Sequence, residues 1–300
     1  MKPEKWTPDN IPDQTGRVVI ITGANSGIGF EAAKVLASKG ADVVMAVRNQ
    51  EKGNQAKAEI MKAHAQAKVT VSLLDLSSLK SVKVFCETFS KTQTRLDVLI
   101  NNAGIMIPPY GKTEDGFESQ MGTNHLGHFA LTAQLFPLLK STVGSRIVNV
   151  SSTAHNMGNI NFDDIHWESR KYIPWKAYGD SKIANLYFTN ELGRRMQAAG
   201  LDVTTTAAHP GYAATGLQKG LFLKFLNVVV AQSGFMGAMP TLMAAIDPKA
   251  STGNFYGPSG IAQQRGWPKQ VTPNKLSQDA EIAKKLWETS EELTGVKFPI

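Results

Sequence analysis

Runs of β-branched and aliphatic residues alternate along the chain with segments that have helical spacing. The first run, RVVIIT at 17–22, is β-branched from Val18 onwards, as in a strand that is buried on both faces of a sheet. The next segment, GIGFEAAKVLASKG, has apolar positions at helical spacing and ends at Gly40, a typical helix stop. A strand that leads directly into a helix is the repeating unit of a parallel sheet with helices on both faces.

The same alternation continues to the end of the chain. Further strands are predicted by the apolar runs at 42–47, 69–74, 96–100, 146–152 and 202–208. Helices are predicted at about 49–64, after Ser77 or Ser78, at about 117–139, from YGDSK onwards, and near 233–246 and 279–294, with Gly295 as a stop. Because no linker or repeat interrupts the series, we expect one domain over residues 1–300. The predicted fold class is α/β, a doubly wound Rossmann-type domain with a mostly parallel seven-stranded sheet and helices on both faces.

Two segments are longer than the connections that such a fold needs. One is an insert at about 153–177, before the YGDSK helix, and the other is a loop at about 210–236, after the sixth strand. Both follow the carboxyl ends of strands, where such sheets bind ligands, so we expect them to lie on the substrate side. The core of the domain is expected at about 15–260, with a C-terminal helical extension at about 277–295.

A glycine-rich turn, TGANSGIG, joins the first strand to the first helix. Glycines let the backbone approach a pyrophosphate, and the helix N-terminus offers free N–H groups and the positive end of its dipole. The spacing G-x-x-x-G-x-G differs from both G-x-G-x-x-G and the Walker loop, but its place after the first strand favours a dinucleotide site. The expected contact residues are Gly23, Asn25, Ser26, Gly27, Ile28 and Gly29.

The end of the second strand, MAVRNQ, bears on the choice between the two nicotinamide dinucleotides. An NAD(H) site has a carboxylate there for the ribose 2′-hydroxyl, whereas this chain has Val47 followed by Arg48. A guanidinium suits a 2′-phosphate, so we expect NADP(H) rather than NAD(H). The alternative is that Arg48 is an ordinary solvated cation.

Two further strand ends carry candidate cofactor contacts. Asp75 and Leu76 follow the third strand, where the carboxylate would accept from the adenine amino group or simply sit at a helix N-terminus. The NNAG sequence follows the fourth strand, and it suits either close passage of a ligand or a tight turn. Its expected contact residues are Asn102, Ala103 and Gly104.

Tyr178 and Lys182 of YGDSK are four positions apart and would lie on one face of a helix. A free tyrosine has a pKa of about 10 and is a poor base at neutral pH. An ammonium about 4 Å away favours the phenolate by roughly 4 kcal/mol at an effective dielectric of about 20, before the cost of desolvation. The pair is therefore suited to proton transfer, and the alternative is a surface lysine beside a packed tyrosine.

The composition is that of an ordinary globular protein, with 42% hydrophobic and 19% charged residues. The lone cysteine, Cys86, excludes internal disulfides and is expected to be a small core residue.

The sequence has no signal peptide and no run long enough for a membrane span, so we expect a cytoplasmic protein. The net charge of +7 comes from scattered residues without interleaved aromatics, which predicts no nucleic-acid partner, although it would attract a phosphorylated cofactor or an anionic membrane surface.

The motifs TGANSGIG, NNAG, TNHLGHF, VNVSS, YGDSK and the PG at 210–211 occur in this order at successive predicted strand ends or on the helices that follow. Over about residues 15–260 this set resembles the short-chain dehydrogenase/reductase family. Finer motifs such as AVRN, DLSSL, NNAGIM and NHLGHF resemble its retinol-dehydrogenase-like branch, which includes WW-domain oxidoreductases; the chain shows no WW domain.

The resemblance implies a role for each matched residue. Tyr178 would be the general acid/base on the substrate oxygen, and Lys182 would hold the nicotinamide ribose and lower the pKa of Tyr178. Ser152, chosen over its neighbour by the family pattern, would bind the substrate oxygen, and Asn124 would position a water in a proton relay that ends at Lys182. The expected contacts to the nicotinamide half are Pro210, Gly211 and Thr215.

The implied activity is the NADP(H)-dependent interconversion of an apolar alcohol and its aldehyde or ketone, retinal-like or otherwise hydrophobic, without a metal. The segment 221–231, LFLKFLNVVVA, would line the substrate pocket, pack internally or touch a membrane surface. A non-catalytic NADP(H)-binding sensor or scaffold and a peripheral membrane protein are the alternatives. Members of the family are often homodimers or homotetramers, and the sequence points to no interface.

Two histidines, His125 and His128, are three positions apart on the predicted 117–139 helix. This spacing occurs in metal sites, but no carboxylate or cysteine partner is close in the sequence. We therefore expect packing or helix-surface roles for both histidines.

Overall fold

The computed structural model describes residues 5–212 and 232–300, and eight strands in these ranges form one sheet. The strands are β1 (Val18–Thr22), β2 (Asp42–Val47), β3 (Lys68–Leu73), β4 (Val98–Asn101), β5 (Ser145–Val150), β6 (Val203–Ala208), β7 (Phe255–Pro258) and β8 (Pro268–Val271). Their order across the sheet is β3-β2-β1-β4-β5-β6-β7-β8, and every neighbouring pair is parallel except β7 and β8. The predicted α/β class with a doubly wound, mostly parallel sheet is confirmed.

The predicted number of seven strands is one too low. Sequence patterns predict ranges for six strands, and the two without a predicted range are β7 and β8, of which β8 is a four-residue edge strand that pairs antiparallel with β7. Its sequence PKQV begins with proline and exposes Lys269 and Gln270, as is usual at a sheet edge. So short and polar a segment has no apolar pattern by which a strand can be recognised.

Helices cover the connections between the strands. They are α1 (Gly27–Ser38), α2 (Gln50–Ala63), α3 (Leu79–Thr92), α4 (Ser119–Met121), α5 (Gly127–Ser141), α6 (Pro174–Ala198), α7 (Gly234–Ile246) and α8 (Ala280–Thr294). A π-helical segment, Gly122–Leu126, joins α4 to α5. Helix α8 ends as predicted at Gly295, which has a left-handed backbone with φ of 65°. Among the described residues, no helix is both long and apolar enough to cross a membrane.

The central strand β1 is buried on both faces, as its continuous apolar run predicts. Val19 and Ile21 belong to the core on one side of the sheet, which α1 and α7 complete. Ile20 belongs to the core on the other side, together with residues of α3, α5 and α6. Since both cores exclude water, the sheet is a rigid base, and its carboxyl edge holds the polar strand ends at fixed positions.

Candidate active site

The carboxyl ends of the central strands border a cleft of about 1270 Å³. It lies where the strand order reverses between β1 and β4, the position at which doubly wound sheets bind ligands. Most of the predicted site residues line it: Gly23, Asn25, Ser26, Gly27, Ile28, Gly29, Arg48, Asp75, Leu76, Asn102, Ala103, Gly104, Tyr178, Lys182 and Pro210. Asn124, Ser152 and Gly211 are neighbours of lining residues rather than part of the lining, and Thr215 lies outside the described residues.

The glycine-rich turn needs its glycines for two different reasons. Gly23 and Gly27 have φ of 67° and 57°, in the left-handed region that glycine adopts without strain. Gly29 is required by space, because a Cβ there would lie 2.7 Å from the carbonyl oxygen of Gly23. Helix α1 begins at Gly27, and the side chain of Ser26 makes no capping hydrogen bond to it. The first N–H groups of α1 are therefore suited to an anion at the cleft.

Thr22, the last residue of β1, ties this turn to the NNAG loop after β4. Its hydroxyl oxygen accepts hydrogen bonds from the backbone N–H groups of Asn102 (2.9 Å) and Ala103 (2.8 Å). The side-chain amide of Asn102 donates back to the Thr22 carbonyl at 2.8 Å. Sequence reasoning missed Thr22, although a hydroxyl residue at the end of an apolar strand is a visible signal.

His128 connects Thr22 to Asn124. The imidazole is 1% exposed; its Nδ1 lies 3.0 Å from the carbonyl oxygen of Asn124, and its Nε2 lies 2.9 Å from the Thr22 hydroxyl. A carbonyl oxygen only accepts, so Nδ1 carries the proton and Nε2 accepts from Thr22. Burial lowers the pKa of His128 to about 4, which agrees with a neutral ring. His125 is as deeply buried as His128. Of the two expected roles, packing in the interior or a place on the helix surface, both histidines therefore have the packing role.

Asn124 lies in the π-helical segment between α4 and α5, a helix type that is often found at functional sites. Its side-chain oxygen accepts from the N–H of Ile105 at 2.8 Å, and its side-chain nitrogen donates to the Ile105 carbonyl at 3.0 Å. The same nitrogen lies 2.9 Å from the hydroxyl of Ser181 on α6. These bonds hold the loop after β4 against the helix that carries Tyr178.

Tyr178 and Lys182 lie one turn apart on α6, and Lys182 Nζ is 5.6 Å from the centroid of the Tyr178 ring. Lys182 Nζ donates to the carbonyl oxygen of Val150, the last residue of β5, at 3.2 Å. Ser152 is close enough to the Tyr178 side chain to act on its pKa in the lowering direction, whereas the hydroxyl of Ser151 donates to the Lys182 carbonyl at 2.7 Å. The structure thus brings Ser152, Tyr178 and Lys182 together at one end of the cleft.

Burial governs the protonation of this group. It raises the pKa of Tyr178 to about 12, although the nearby Ser152 side chain acts in the lowering direction. Burial also lowers the pKa of Lys182 to about 8. The spacing in the sequence indicates only the attraction between ammonium and phenolate, which lowers the pKa of Tyr178. In the folded protein both groups also lose hydration when α6 packs on the sheet.

Basic residues border the end of the cleft that lies beyond the glycine turn. Arg48 follows β2, is exposed and lines the cleft, as does Lys52 in the first turn of α2. Asp75 lies at the same edge, where its Oδ1 accepts from the backbone N–H (2.9 Å) and the hydroxyl (2.6 Å) of Ser77. Asp75 therefore shapes the start of the segment that leads into α3, and its carboxylate still lines the cleft.

The segment after β6 is held by His209. Its Nδ1 accepts from the backbone N–H of Gly211 at 3.2 Å, and its Nε2 lies 2.8 Å from the side-chain oxygen of Gln263. Gly211 has φ of 66°, so the chain turns there in a conformation that favours glycine. Pro210 is thereby placed in the cleft lining, and its carbonyl accepts from the Gln232 side chain at 2.6 Å.

The residues that form the cleft also fall within a match to a known protein family. The family model described as short chain dehydrogenase matches residues 17–224, which include β1, the glycine turn, the NNAG loop and the Tyr178–Lys182 pair. The chain belongs to the short-chain dehydrogenase family. It is accordingly an oxidoreductase that acts on CH–OH groups.

Among its relatives the dehydrogenase is similar to proteins named retinol dehydrogenase. It is 40% identical to human retinol dehydrogenase 13 over 296 residues, which cover 95% of this chain and 86% of that protein. It is 41% identical to retinol dehydrogenase 12 of Mus musculus over 289 residues, which cover 94% of this chain and 88% of that protein. The predicted retinol-dehydrogenase-like branch is confirmed.

Solved structures share the fold. An uncharacterized protein from Mycobacterium paratuberculosis is 43% identical and superposes with a TM-score of 0.85 over 99% of this chain and 100% of that one. A short chain dehydrogenase from Shigella flexneri, solved in complex with NADP, is 23% identical with a TM-score of 0.63 over 81% of this chain and 97% of that one. The second likeness concerns the fold alone.

Proposed function

We propose that the dehydrogenase uses NADP(H) to interconvert an apolar alcohol and its aldehyde or ketone. The observation that carries the proposal is the arrangement of the cleft, which has Tyr178 and Lys182 at one end and the glycine turn with Arg48 at the other. The names of the relatives support a retinol-like alcohol, or another hydrophobic one, as the substrate class.

The residues of the cleft fit a phosphorylated nicotinamide dinucleotide. The uncapped start of α1 and the close approach at Gly29 suit a pyrophosphate, and the cations Arg48 and Lys52 suit a 2′-phosphate. The remaining contacts are proposed from Asn25, Ser26, Ile28, Asp75, Leu76, Asn102, Ala103, Gly104, Pro210 and Gly211. When bound, the cofactor supplies or accepts a hydride at its nicotinamide ring.

Tyr178 is proposed as the group that exchanges a proton with the substrate oxygen. With its pKa raised to about 12, the phenol is protonated at neutral pH and suits the reductive direction, in which the oxygen must receive a proton. Ser152, whose side chain acts on the Tyr178 pKa, would hold the same oxygen. Asn124 and Lys182 would complete the path by which Tyr178 is reprotonated.

The test of Tyr178 is a steady-state assay of NADPH oxidation with apolar aldehydes and ketones, including retinal. Tyr178→Phe removes only the proton-transferring hydroxyl, and we expect kcat to fall about 100- to 10,000-fold. Tyr187→Phe is the matched control, because Tyr187 is 1% exposed on the same helix and does not line the cleft. Equal activities of the two variants would refute the role of Tyr178.

The test of Arg48 compares NADPH with NADH. Arg48→Ala should weaken NADPH binding about tenfold or more, the effect of losing a charged hydrogen bond, and leave NADH binding nearly unchanged. Lys62→Ala removes an exposed charge from the other end of α2 and controls for the net charge. Equal losses for both cofactors would contradict a 2′-phosphate contact at Arg48.

The same assays separate the alternative of a non-catalytic NADP(H)-binding sensor. Such a protein would bind NADPH, and its aldehyde reduction would be absent in both the native chain and Tyr178→Phe. A cytoplasmic location and assembly into a homodimer or homotetramer stay predictions from the sequence. The proposed membrane contact through 221–231 concerns a segment outside the described residues.

A further inference from the structure

A polar network that is partly buried lies beside the cleft and takes no part in the proposed chemistry. It consists of Glu118, Gln120 and Tyr172, and we call it the wall network. Glu118 and Gln120 flank the start of α4 and are 1% and 0% exposed. Tyr172 belongs to the insert before α6, more than fifty residues away in sequence.

Gln120 holds the loop that follows NNAG. Its side-chain oxygen accepts from the backbone N–H of Ile107 at 2.9 Å. Ile107 has φ of 56°, a left-handed conformation that β-branched residues rarely adopt. Residues 106–109, Met-Ile-Pro-Pro, line the cleft and form an apolar wall. The bond from Gln120 is therefore one restraint that keeps this wall in an otherwise unfavourable backbone shape.

The same side chain also reaches the start of α6, which forms a second apolar wall of the cleft. Gln120 Nε2 donates to the carbonyl oxygen of Pro174 at 3.0 Å and to the Tyr172 hydroxyl at 2.8 Å. Pro174 is the first residue of α6, and the next residue, Trp175, lines the cleft and is 44% exposed. Tyr178 follows within one turn of the same helix. One amide thus joins the backbone of the 106–109 wall to the start of the helix that carries Trp175.

Every donor and acceptor of the network has a partner, so its geometry is determined. The Tyr172 hydroxyl donates to Glu118 Oε1 at 2.8 Å. The Glu118 carboxylate also accepts from the backbone N–H groups of Gln120 (2.9 Å) and Met121 (2.7 Å). The amide of Gln120 cannot be flipped, because Ile107 N–H needs an acceptor and Pro174 O needs a donor.

We propose that the wall network sets the separation between residues 106–109 and Trp175, and thereby determines the size of apolar substrate that the cleft accepts. Gln120 and Tyr172 are positioning residues for substrate specificity. This inference rests on the proposed function, since it assigns these two walls to the apolar part of the alcohol or carbonyl compound. A network that only stabilised the fold would leave the substrate preference unchanged.

The test uses linear aldehydes from butanal to dodecanal with NADPH. Tyr172→Phe removes one hydroxyl and leaves the ring packing and the Gln120–Pro174 bond in place, while Gln120→Met removes the whole connection at similar volume. We expect KM for the best-fitting aldehyde to rise about tenfold in Gln120→Met, and less in Tyr172→Phe. The kcat for butanal and the Kd for NADPH should change less than about threefold.

Tyr110→Phe is the matched control. Tyr110 packs edge-on against Tyr172 at a centroid distance of 5.2 Å, and its hydroxyl donates to the carbonyl of His166 rather than to the wall network. This variant should keep the native chain-length profile. An unchanged profile in Gln120→Met together with a lower melting temperature would overturn the proposal and assign the network to stability alone.

A binding measurement covers the case in which no aldehyde is reduced. That result would refute the proposed function, and calorimetric titration of the NADP⁺-loaded protein with butanol to dodecanol would then test the walls directly. A dependence of Kd on chain length that differs between the native chain and Gln120→Met supports the wall network as the determinant of size. The same dependence in both proteins overturns it.

Discussion

Replacement of His128 by asparagine tests the link between the glycine turn and Asn124. The His128 Nδ1–H donates to the Asn124 carbonyl, and Nε2 accepts from the Thr22 hydroxyl. That hydroxyl oxygen already accepts two backbone N–H groups, from Asn102 and Ala103. A second proton on the ring would therefore face an oxygen without a free lone pair. The folded protein should bind no proton at His128 until the pH is well below neutral.

The magnitude follows from proton linkage. Burial, with a smaller effect from Lys182, lowers the pKa of His128 to about 4, whereas the unfolded chain has the ordinary value of about 6.5. Between these values the unfolded state binds more protons, so the stabilising effect of the neutral ring is complete above about pH 6.5 and is lost as the pH falls towards 4. One such group changes the free energy of unfolding by up to about 1.4 kcal/mol per pH unit, or about 3 kcal/mol over the window.

His125 and His209 act in the same direction, because burial lowers their pKa values to about 3 and about 4. These three histidines together contribute a slope of up to three protons to the loss of stability below about pH 6.5, and Asp180, whose pKa burial raises to about 6, acts in the opposite direction. His128→Asn retains a donor for the Asn124 carbonyl but cannot be protonated in this range. The free energy of unfolding of this variant should depend on pH with a slope that is smaller by about one proton. At neutral pH the variant should be less stable by about 1–3 kcal/mol, because Thr22 loses its partner.

The assay is urea unfolding followed by tryptophan fluorescence at several pH values between about 7 and 5. His64→Asn, at the half-exposed end of α2, is the control for the change from histidine to asparagine. If the native protein and His128→Asn have the same dependence on pH, the ring is not buried in its neutral form, and the assigned direction of the hydrogen bonds is wrong.

Three further predictions concern packing. Gly127→Ala should lower the free energy of unfolding by about 1–3 kcal/mol in denaturant unfolding, because the new Cβ would clash with the Leu76 carbonyl. Native-like stability would contradict this and show that α5 can shift away. Asn149→Ala should lower the free energy of unfolding by about 2 kcal/mol or more in the same assay, because it removes the hydrogen bond that Asn149 accepts from Asn101 (2.8 Å) and the one that it donates to α6. A loss below about 0.5 kcal/mol would contradict this prediction. Burial raises the pKa of the Cys86 thiol to about 12, so a thiol reagent at mildly alkaline pH should label Cys86 only after unfolding; rapid labelling of the folded protein would refute its burial.

The elements along the chain and the strand ends that carry chemistry were predictable because both depend on local pattern. The run at 17–22 has four successive β-branched apolar residues, Val18 to Ile21, as is typical of a strand buried on both faces, and β1 is such a strand. The glycine turn and the Tyr178–Lys182 spacing are equally local, and the structure places both in the cleft. The edge strand β8 was missed because four residues that begin with proline have no apolar period.

The direction in which the pKa of Tyr178 shifts could not be predicted from the sequence, because the shift depends on hydration as well as on charge. The four-residue spacing to Lys182 indicates an attraction, but the extent of burial is a property of the packed molecule. In the structure α6 is buried along most of its length, and for Tyr178 the effect of burial outweighs the opposing effect of Ser152.

By itself, the sequence determined the family, the order of strands and helices as far as β6, and the residue types at these strand ends, because these depend on neighbours within a few positions. Only the tertiary structure decided which distant side chains meet. Thr22, His128 and Asn124 form one chain of hydrogen bonds across two strand ends and a π-helical segment. Gln120 likewise reaches Ile107 on one side and Pro174 on the other. Contacts of this kind have no signature in residue spacing, because the folded sheet brings their partners together.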